Sequence, residues 1–129
     1  MTQQLAPELR ERGFGDYELR STELYNAVWA ADAESSAARP PGEDGESVED
    51  VAARTAGFVA QLEARHRGRS VVLVGHGDGL SILAAALLGT DLRAHRQHGL
   101  RNCGIMRLPP AAAGARRSVP GQGAAASAT

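Results

Sequence analysis

The chain has 129 residues, a formal net charge of -1 and a single cysteine, which together allow one domain and no internal disulfide framework. The near-neutral charge and the 4% aromatic content argue against a nucleic-acid partner or an acidic membrane surface. No apolar run reaches the roughly 18 residues needed to span a bilayer, and the first residues have no signal-peptide pattern. We therefore expect a cytoplasmic protein.

Charged residues dominate the first segment, Leu5–Tyr17. Glu8, Arg10, Glu11 and Arg12 interrupt its apolar residues, and two glycines follow closely. This pattern is typical of a loop with a single helical turn. The simplest interpretation of the four charges is a solvated cluster.

Next, apolar residues recur at helical spacing after Ser21 and Thr22, either of which is a suitable N-cap. The spacing predicts a short helix that ends at about Ala33, with its aromatic residues Tyr25 and Trp29 serving in packing. A stretch rich in Ser, Ala, Pro and Gly follows up to Glu46 and predicts a surface loop.

The strongest helical pattern covers Ser47–Arg67, where apolar residues form one stripe with a period near 3.6. Ser47 is the expected N-cap, and acidic residues occupy the first turn, where they suit the positive end of the helix dipole. Basic residues in the last turn and Gly68 predict its end.

A short apolar run, Val71–Val74, leads through Gly75-His76-Gly77-Asp78-Gly79 into a second apolar helical pattern. Continuous apolar strands are typical of parallel α/β sheets, in which ligands bind beyond the carboxyl ends of the strands. The pattern predicts a strand over Ser70–Gly75 and a helix over Asp78–Leu88. It places His76 where a ligand would bind.

The glycine-rich turn at His76 has several interpretations. A dinucleotide-binding loop needs glycine at position 80, where Leu80 stands. A nucleophile elbow would place Gly77, which has no side chain, at the nucleophile position. Two alternatives stay open: a phosphate pocket formed by His76 and the backbone N–H groups of the helix start, or a histidine hydrogen-bonded within a turn.

The remaining sequence contains His95, His98 and Cys103, whose spacing matches no zinc site. Asn102–Leu108 is predicted as a second strand. After it, Pro109–Thr129 consists mainly of Ala, Gly, Ser and Pro, a composition that predicts a disordered tail.

Three segments together resemble the histidine phosphatase superfamily, also called phosphoglycerate-mutase-like. The segment Leu9-Arg10-Glu11-Arg12-Gly13-Phe14-Gly15 is similar to the family's L-x-E-R-x-F-G segment, and Gly45-Glu46-Ser47 is similar to its G-E-S helix start. Val71–Gly77 is similar to its second histidine motif, and Asn102-Cys103 to the opening of its last strand. The resemblance covers residues 5–108 and defines a partial domain over that range.

The resemblance implies a role for each matched residue. Glu11 would be the general acid that protonates the leaving oxygen and then the base for the attacking water. His76 would be the second histidine of the pocket, with Gly77 and Asp78 as further pocket contacts and Arg12 helping to hold substrate. The implied ligand is a phosphorylated small molecule, and no metal or organic cofactor is implied.

The family's Arg-His-Gly motif, whose histidine is the nucleophile, does not occur in this sequence. We therefore expect an N-terminally truncated form of a three-layer α/β/α histidine-phosphatase-like fold, lacking the first strand and its helix. The family assignment predicts a phosphomonoester hydrolase, with the isolated chain inactive because its nucleophile is missing. The alternative is a non-catalytic phospho-ligand-binding or subunit-pairing module, or a gene fragment. The strand Val71–Val74, left with an unpaired edge, predicts self-association.

Overall fold

The computed structural model describes residues 2–108 and contains three α-helices within that range. They are α1 (Thr22–Glu34), α2 (Val48–Arg65) and α3 (Gly77–Leu88). All three were predicted, with bounds that differ by one or two residues from those expected. Segments of 3₁₀ helix occur at Pro7–Leu9, Gly15–Tyr17 and Leu92–His98, the last of which is kinked at Ala94.

Local sequence explains how the helices begin and end. Ser47 and Asp50 form a capping box at the start of α2, because each side chain accepts a hydrogen bond from the other residue's backbone N–H. Ser21 caps α1 by accepting from the N–H of Leu24. Helix α3 ends at Gly89, whose positive φ of 72° suits glycine.

The core lies where the apolar stripe of α2 packs against α3. This packing is possible because α2 is apolar on one face, whereas α3 is apolar on almost every side. The central cluster is fully or nearly fully buried and is joined at its edge by two partly buried residues: Val48, Val51, Ala52 and Ile82, then Ala86 and Leu92. The 3₁₀ segment at Leu92–His98 packs against α3 and α1.

Neither predicted strand is present within residues 2–108. Ser70–Gly75 and Asn102–Leu108 form no ladder, and the one β-bridge of this region joins Phe14 to Gly45. A strand needs a neighbour to take its backbone hydrogen bonds, and no described segment pairs with either run. Val72 and Val74 are consequently 80% and 84% exposed, although their composition is that of a buried strand.

The predicted tail, Pro109–Thr129, lies outside the described residues. Inside them, no helix has both the length and the apolar character that crossing a membrane requires.

Candidate active site

Arg12 is the centre of a buried polar network. Its side chain is fully buried, and its Nη1 and Nη2 donate to the two carboxylate oxygens of Asp32 at 2.7 and 2.9 Å. Its Nε donates to the backbone carbonyl of Glu46 at 3.0 Å. The interpretation of a solvated charge cluster is therefore wrong for Arg12, although it describes the exposed Glu8 and Arg10 correctly.

Asp78 connects this pair to the first turn of α3. Its Oδ2 lies 3.4 Å from Nη1 of Arg12 and accepts from the indole Nε1 of Trp29 at 3.0 Å. Trp29 and Asp32 lie three positions apart on α1, so they project from the same face of that helix. Helix α1 therefore holds both the Arg12 segment and the start of α3.

Glu11 reaches the same end of α3 with its carboxylate. Its Oε1 accepts from the backbone N–H of Gly79 at 3.1 Å and from the N–H of Arg12 at 2.9 Å. No described residue donates a hydrogen bond to its Oε2. Gly79 is buried, and a Cβ at this position would lie 3.6 Å from Oε1 of Glu11. The carboxylate is thus held at the helix start through its Oε1.

His76 is the N-cap residue of α3, and its side chain makes no capping hydrogen bond. Both His76 and Gly77 are exposed, and a Cβ at Gly77 would meet no atom within 4 Å. The imidazole is therefore solvent-accessible at a helix N-terminus, where the backbone dipoles favour an anion. The structure thus gathers Glu11, Arg12 and Asp78 around the first turn of α3, with His76 and Gly77 at its exposed edge.

Another histidine, His95, is completely buried behind this site. Its Nδ1 lies 2.8 Å from the hydroxyl of Ser81, and its Nε2 lies 3.5 Å from Oδ2 of Asp32. His98 lies 2.8 Å from the hydroxyl of Thr90. Among residues 2–108, no three His, Cys, Asp or Glu side chains are grouped in a way that could hold a metal ion.

The Arg12–Asp32 pair shifts the titration of both partners. Burial alone would disfavour both charges, but the hydrogen bonds and charges that they exchange outweigh it. They raise the pKa of Arg12, with a further contribution from Asp78. They lower the pKa of Asp32, with His95 contributing. Both groups are therefore charged near neutral pH.

Asp32 and Trp29 have places in the site that the sequence did not reveal. The sequence predicts Trp29 as a packing residue and gives Asp32 no role in a site. One signal was available for Asp32, since it lies four positions after the buried Val28 and therefore shares its face of α1. A carboxylate on a buried helix face requires a charged or hydrogen-bonding partner.

The profile of the histidine phosphatase superfamily (branch 1) matches residues 1–118. The chain belongs to the histidine phosphatase superfamily and has the fold of that family.

Individual relatives agree with this classification. Proteins named "Probable phosphoglycerate mutase GpmB" from an Enterobacter species, Salmonella arizonae and Citrobacter koseri are each 35% identical to the chain over 65 residues. That match covers 50% of this chain and 30% of each relative. The solved structure "Mycobacterial hydrolase 1" superposes with a TM-score of 0.62 at 30% identity, covering 83% of this chain and 57% of the neighbour.

Proposed function

We propose that this chain carries the acid and second-histidine part of a phosphomonoester hydrolase. The observation that supports this most directly is the hydrogen bond of 3.1 Å between Oε1 of Glu11 and the N–H of Gly79. It holds a carboxylate beside the helix turn that begins at His76. An acid, an imidazole and helix N–H groups at one point are the components that phosphoryl transfer to water requires.

In the proposed reaction, a phosphohistidine forms on a histidine that lies outside this sequence. Glu11, protonated on its free Oε2, gives its proton to the leaving alcohol oxygen as the P–O bond breaks. The resulting carboxylate then takes a proton from the water that attacks the phosphohistidine and releases inorganic phosphate. His76 and the backbone at Gly77 donate hydrogen bonds to the phosphoryl oxygens, where negative charge accumulates.

In this proposal, Arg12 and Asp78 have different roles. The sequence resemblance assigned both to phosphate or substrate contact. The guanidinium of Arg12 is buried and faces two carboxylates. We therefore propose that it affects the phosphoryl group indirectly, by holding Glu11 and α3 in place. Asp78, which is partly exposed, remains a proposed pocket residue.

Hydrolysis is proposed over mutase activity, although the curated relatives are named as phosphoglycerate mutases. The family resemblance implies that a mutase would need longer basic insertions than this sequence contains. The name of the structural neighbour, a hydrolase, agrees with this choice. The substrate is a phosphorylated small molecule.

The finer architecture is also part of the proposal. We infer a three-layer α/β/α domain in which a first strand and its helix come from outside this sequence. The 80% and 84% exposure of Val72 and Val74 supports this, because the run Val71–Val74 has the composition of a strand that is buried on both faces. A neighbouring strand would supply backbone hydrogen-bond partners for residues 70–75. It would also cover their exposed apolar side chains.

The test compares the chain alone with the chain joined to an upstream segment. We expect no measurable hydrolysis of p-nitrophenyl phosphate by residues 1–129, because loss of a covalent nucleophile has cost other enzymes about 10⁶ in turnover. Translating the DNA upstream of Met1 in frame should show an apolar strand ending in Arg-His-Gly. The extended protein should hydrolyse phosphomonoesters and lose this activity in Glu11→Gln. Turnover by the chain alone that disappears in His76→Ala would contradict the proposal.

A second candidate function is subunit pairing. The exposed run at Val71, Val72 and Val74 favours it, since unpaired apolar segments associate with one another. We expect the chain to sediment as dimers or larger species at micromolar concentration, and Val72→Asp to shift it toward monomer. A monomeric wild-type chain with a sharp thermal transition would rule this candidate out.

A further inference from the structure

Arg54, on α2, has an unusually complete set of hydrogen bonds. Its Nη1 donates to the backbone carbonyls of Glu8 at 2.8 Å and Arg10 at 3.0 Å. Its Nη2 donates to the carbonyl of Glu11 at 3.2 Å and to Oε1 of Glu46 at 2.8 Å. Its Nε donates to Oε2 of Glu46 at 2.8 Å. A guanidinium has five N–H donors, and each of them has a partner here.

Glu46 extends this arrangement to the other side of Glu11. Its Oε1 also accepts from the backbone N–H of Gly13 at 2.8 Å. The hydrogen bond from Arg54 is the main reason why the pKa of Glu46 is lowered, and the Gly13 N–H contributes further. Arg54 and Glu46 together therefore bind backbone groups both before and after Glu11.

The segment before Glu11 has little other anchorage. The 3₁₀ turn at Pro7–Leu9 has no buried residue, and Glu8 and Arg10 are exposed. Helix α2, in contrast, is fixed against α3 by the buried core. Because Gly79 lies on α3, Arg54 links the backbone of Glu11 to the helix pair that carries the hydrogen-bond partner of its carboxylate.

We propose that Arg54 is a positioning residue, which fixes the backbone at Glu11 so that its carboxylate stays on the N–H of Gly79. The importance of this position for catalysis rests on the function proposed above for Glu11. The task requires a planar group with several donors, because the three carbonyls and the carboxylate lie in different directions from one side chain. A lysine at this position would keep the positive charge but provide at most three donors.

The experiment uses NMR of the full chain in solution, with the amide of Gly79 as reporter. In the wild type, this amide signal should move as the Glu11 carboxylate gains or loses its proton, and Glu11→Gln should abolish that movement. In Arg54→Lys, we expect the movement to fall at least about twofold, and hydrogen exchange at the Gly13 amide to accelerate about tenfold, the equivalent of one lost hydrogen bond.

Arg39→Lys is the matched control. Arg39 forms an ion pair with Asp50, which lies on α2 as Arg54 does, but the Arg39 side chain is largely exposed. It should leave the signals of both Gly79 and Gly13 unchanged. If Arg54→Lys leaves them unchanged as well, the proposal is wrong. It is equally overturned if Arg54→Lys loses the signals of α2 and α3 as a whole, since Arg54 would then support the entire fold and not the position of Glu11.

This readout involves no phosphoryl chemistry. If the proposed function fails, inorganic phosphate will not perturb the signals of His76, whereas the coupling of Gly79 to Glu11 will persist and still depend on Arg54. If the positioning proposal fails, phosphate will perturb His76 while Arg54→Lys leaves Gly79 unaffected. The two failures are therefore distinguishable.

Discussion

The carboxylate of Asp32 faces the guanidinium of Arg12 in a two-point ion pair at 2.7 and 2.9 Å, with both side chains almost completely buried. One partner belongs to helix α1 and the other directly follows Glu11. The pair therefore joins α1 to the segment that carries the proposed acid, Glu11. The sequence predicts only a packing role for α1. This buried ion pair leads to the first prediction.

Asp32→Asn should strongly destabilise the fold. The substitution keeps the shape of the side chain but leaves the Arg12 charge buried with one fewer anionic partner. Breaking a buried pair on one side typically costs about 3–5 kcal/mol, a large part of a total stability of about 5–15 kcal/mol. Urea unfolding followed by circular dichroism measures this loss.

Arg39→Ala is the control for that measurement, since it breaks an ion pair whose arginine side chain is 63% exposed. Pairs of this kind contribute between 0 and about 1 kcal/mol. An Asp32→Asn protein no less stable than Arg39→Ala would show that the interior pair contributes little.

The stability of the protein should fall in acid. The pKa values of Asp32 and Glu46 are lowered from ordinary values of 3.8 and 4.5. The unfolded chain therefore binds protons at these carboxylates before the folded chain does. Their contribution is complete above the ordinary values and is lost as the pH falls through the lowered ones.

Urea midpoints measured between pH 6 and pH 3 test this dependence. Glu46→Gln should flatten the acid limb of the curve, because the neutral amide cannot titrate. An acid limb as steep in Glu46→Gln as in the wild type would mean that other carboxylates dominate acid unfolding.

Removal of the Ser47 hydroxyl should destabilise helix α2. Ser47→Ala deletes the acceptor for the backbone N–H of Asp50, and loss of such a cap costs about 1 kcal/mol. Thermal unfolding followed at 222 nm measures the change. Ser70→Ala, at an exposed position, should leave the transition where it is, and equal effects of the two substitutions would contradict the capping assignment.

Arg96 should shield the single tryptophan from solvent. Its guanidinium lies 3.8 Å above the ring of Trp29, within the range of a cation–π contact. In Arg96→Ala, acrylamide should quench the Trp29 fluorescence more efficiently. Arg93→Ala removes a nearby charge that pairs locally with Asp91, and it should not alter quenching. Equal quenching in the wild type and Arg96→Ala would show that the stacked arrangement is not maintained in solution.

The sequence was sufficient to predict the helices and to select the candidate site residues that lie in family motifs. Apolar periodicity located α2, and Ser47 and Ser21 marked helix starts because caps depend on groups within a few residues of one another. The resemblance of short motifs selected Glu11 and His76 and the family as a whole. It did so because those motifs keep a fixed order along the chain.

Only the tertiary structure decided which charges are buried and what they bind. Arg12 and Asp32 are 20 positions apart, and Arg54 is 43 positions from Glu11, so no local pattern could show that they meet. The run Val71–Val74 has the composition of a strand, yet it forms none within residues 2–108, because a strand depends on a partner segment and not on its own residues. The helices follow from neighbouring residues, whereas ion pairs and strand pairing depend on distant ones.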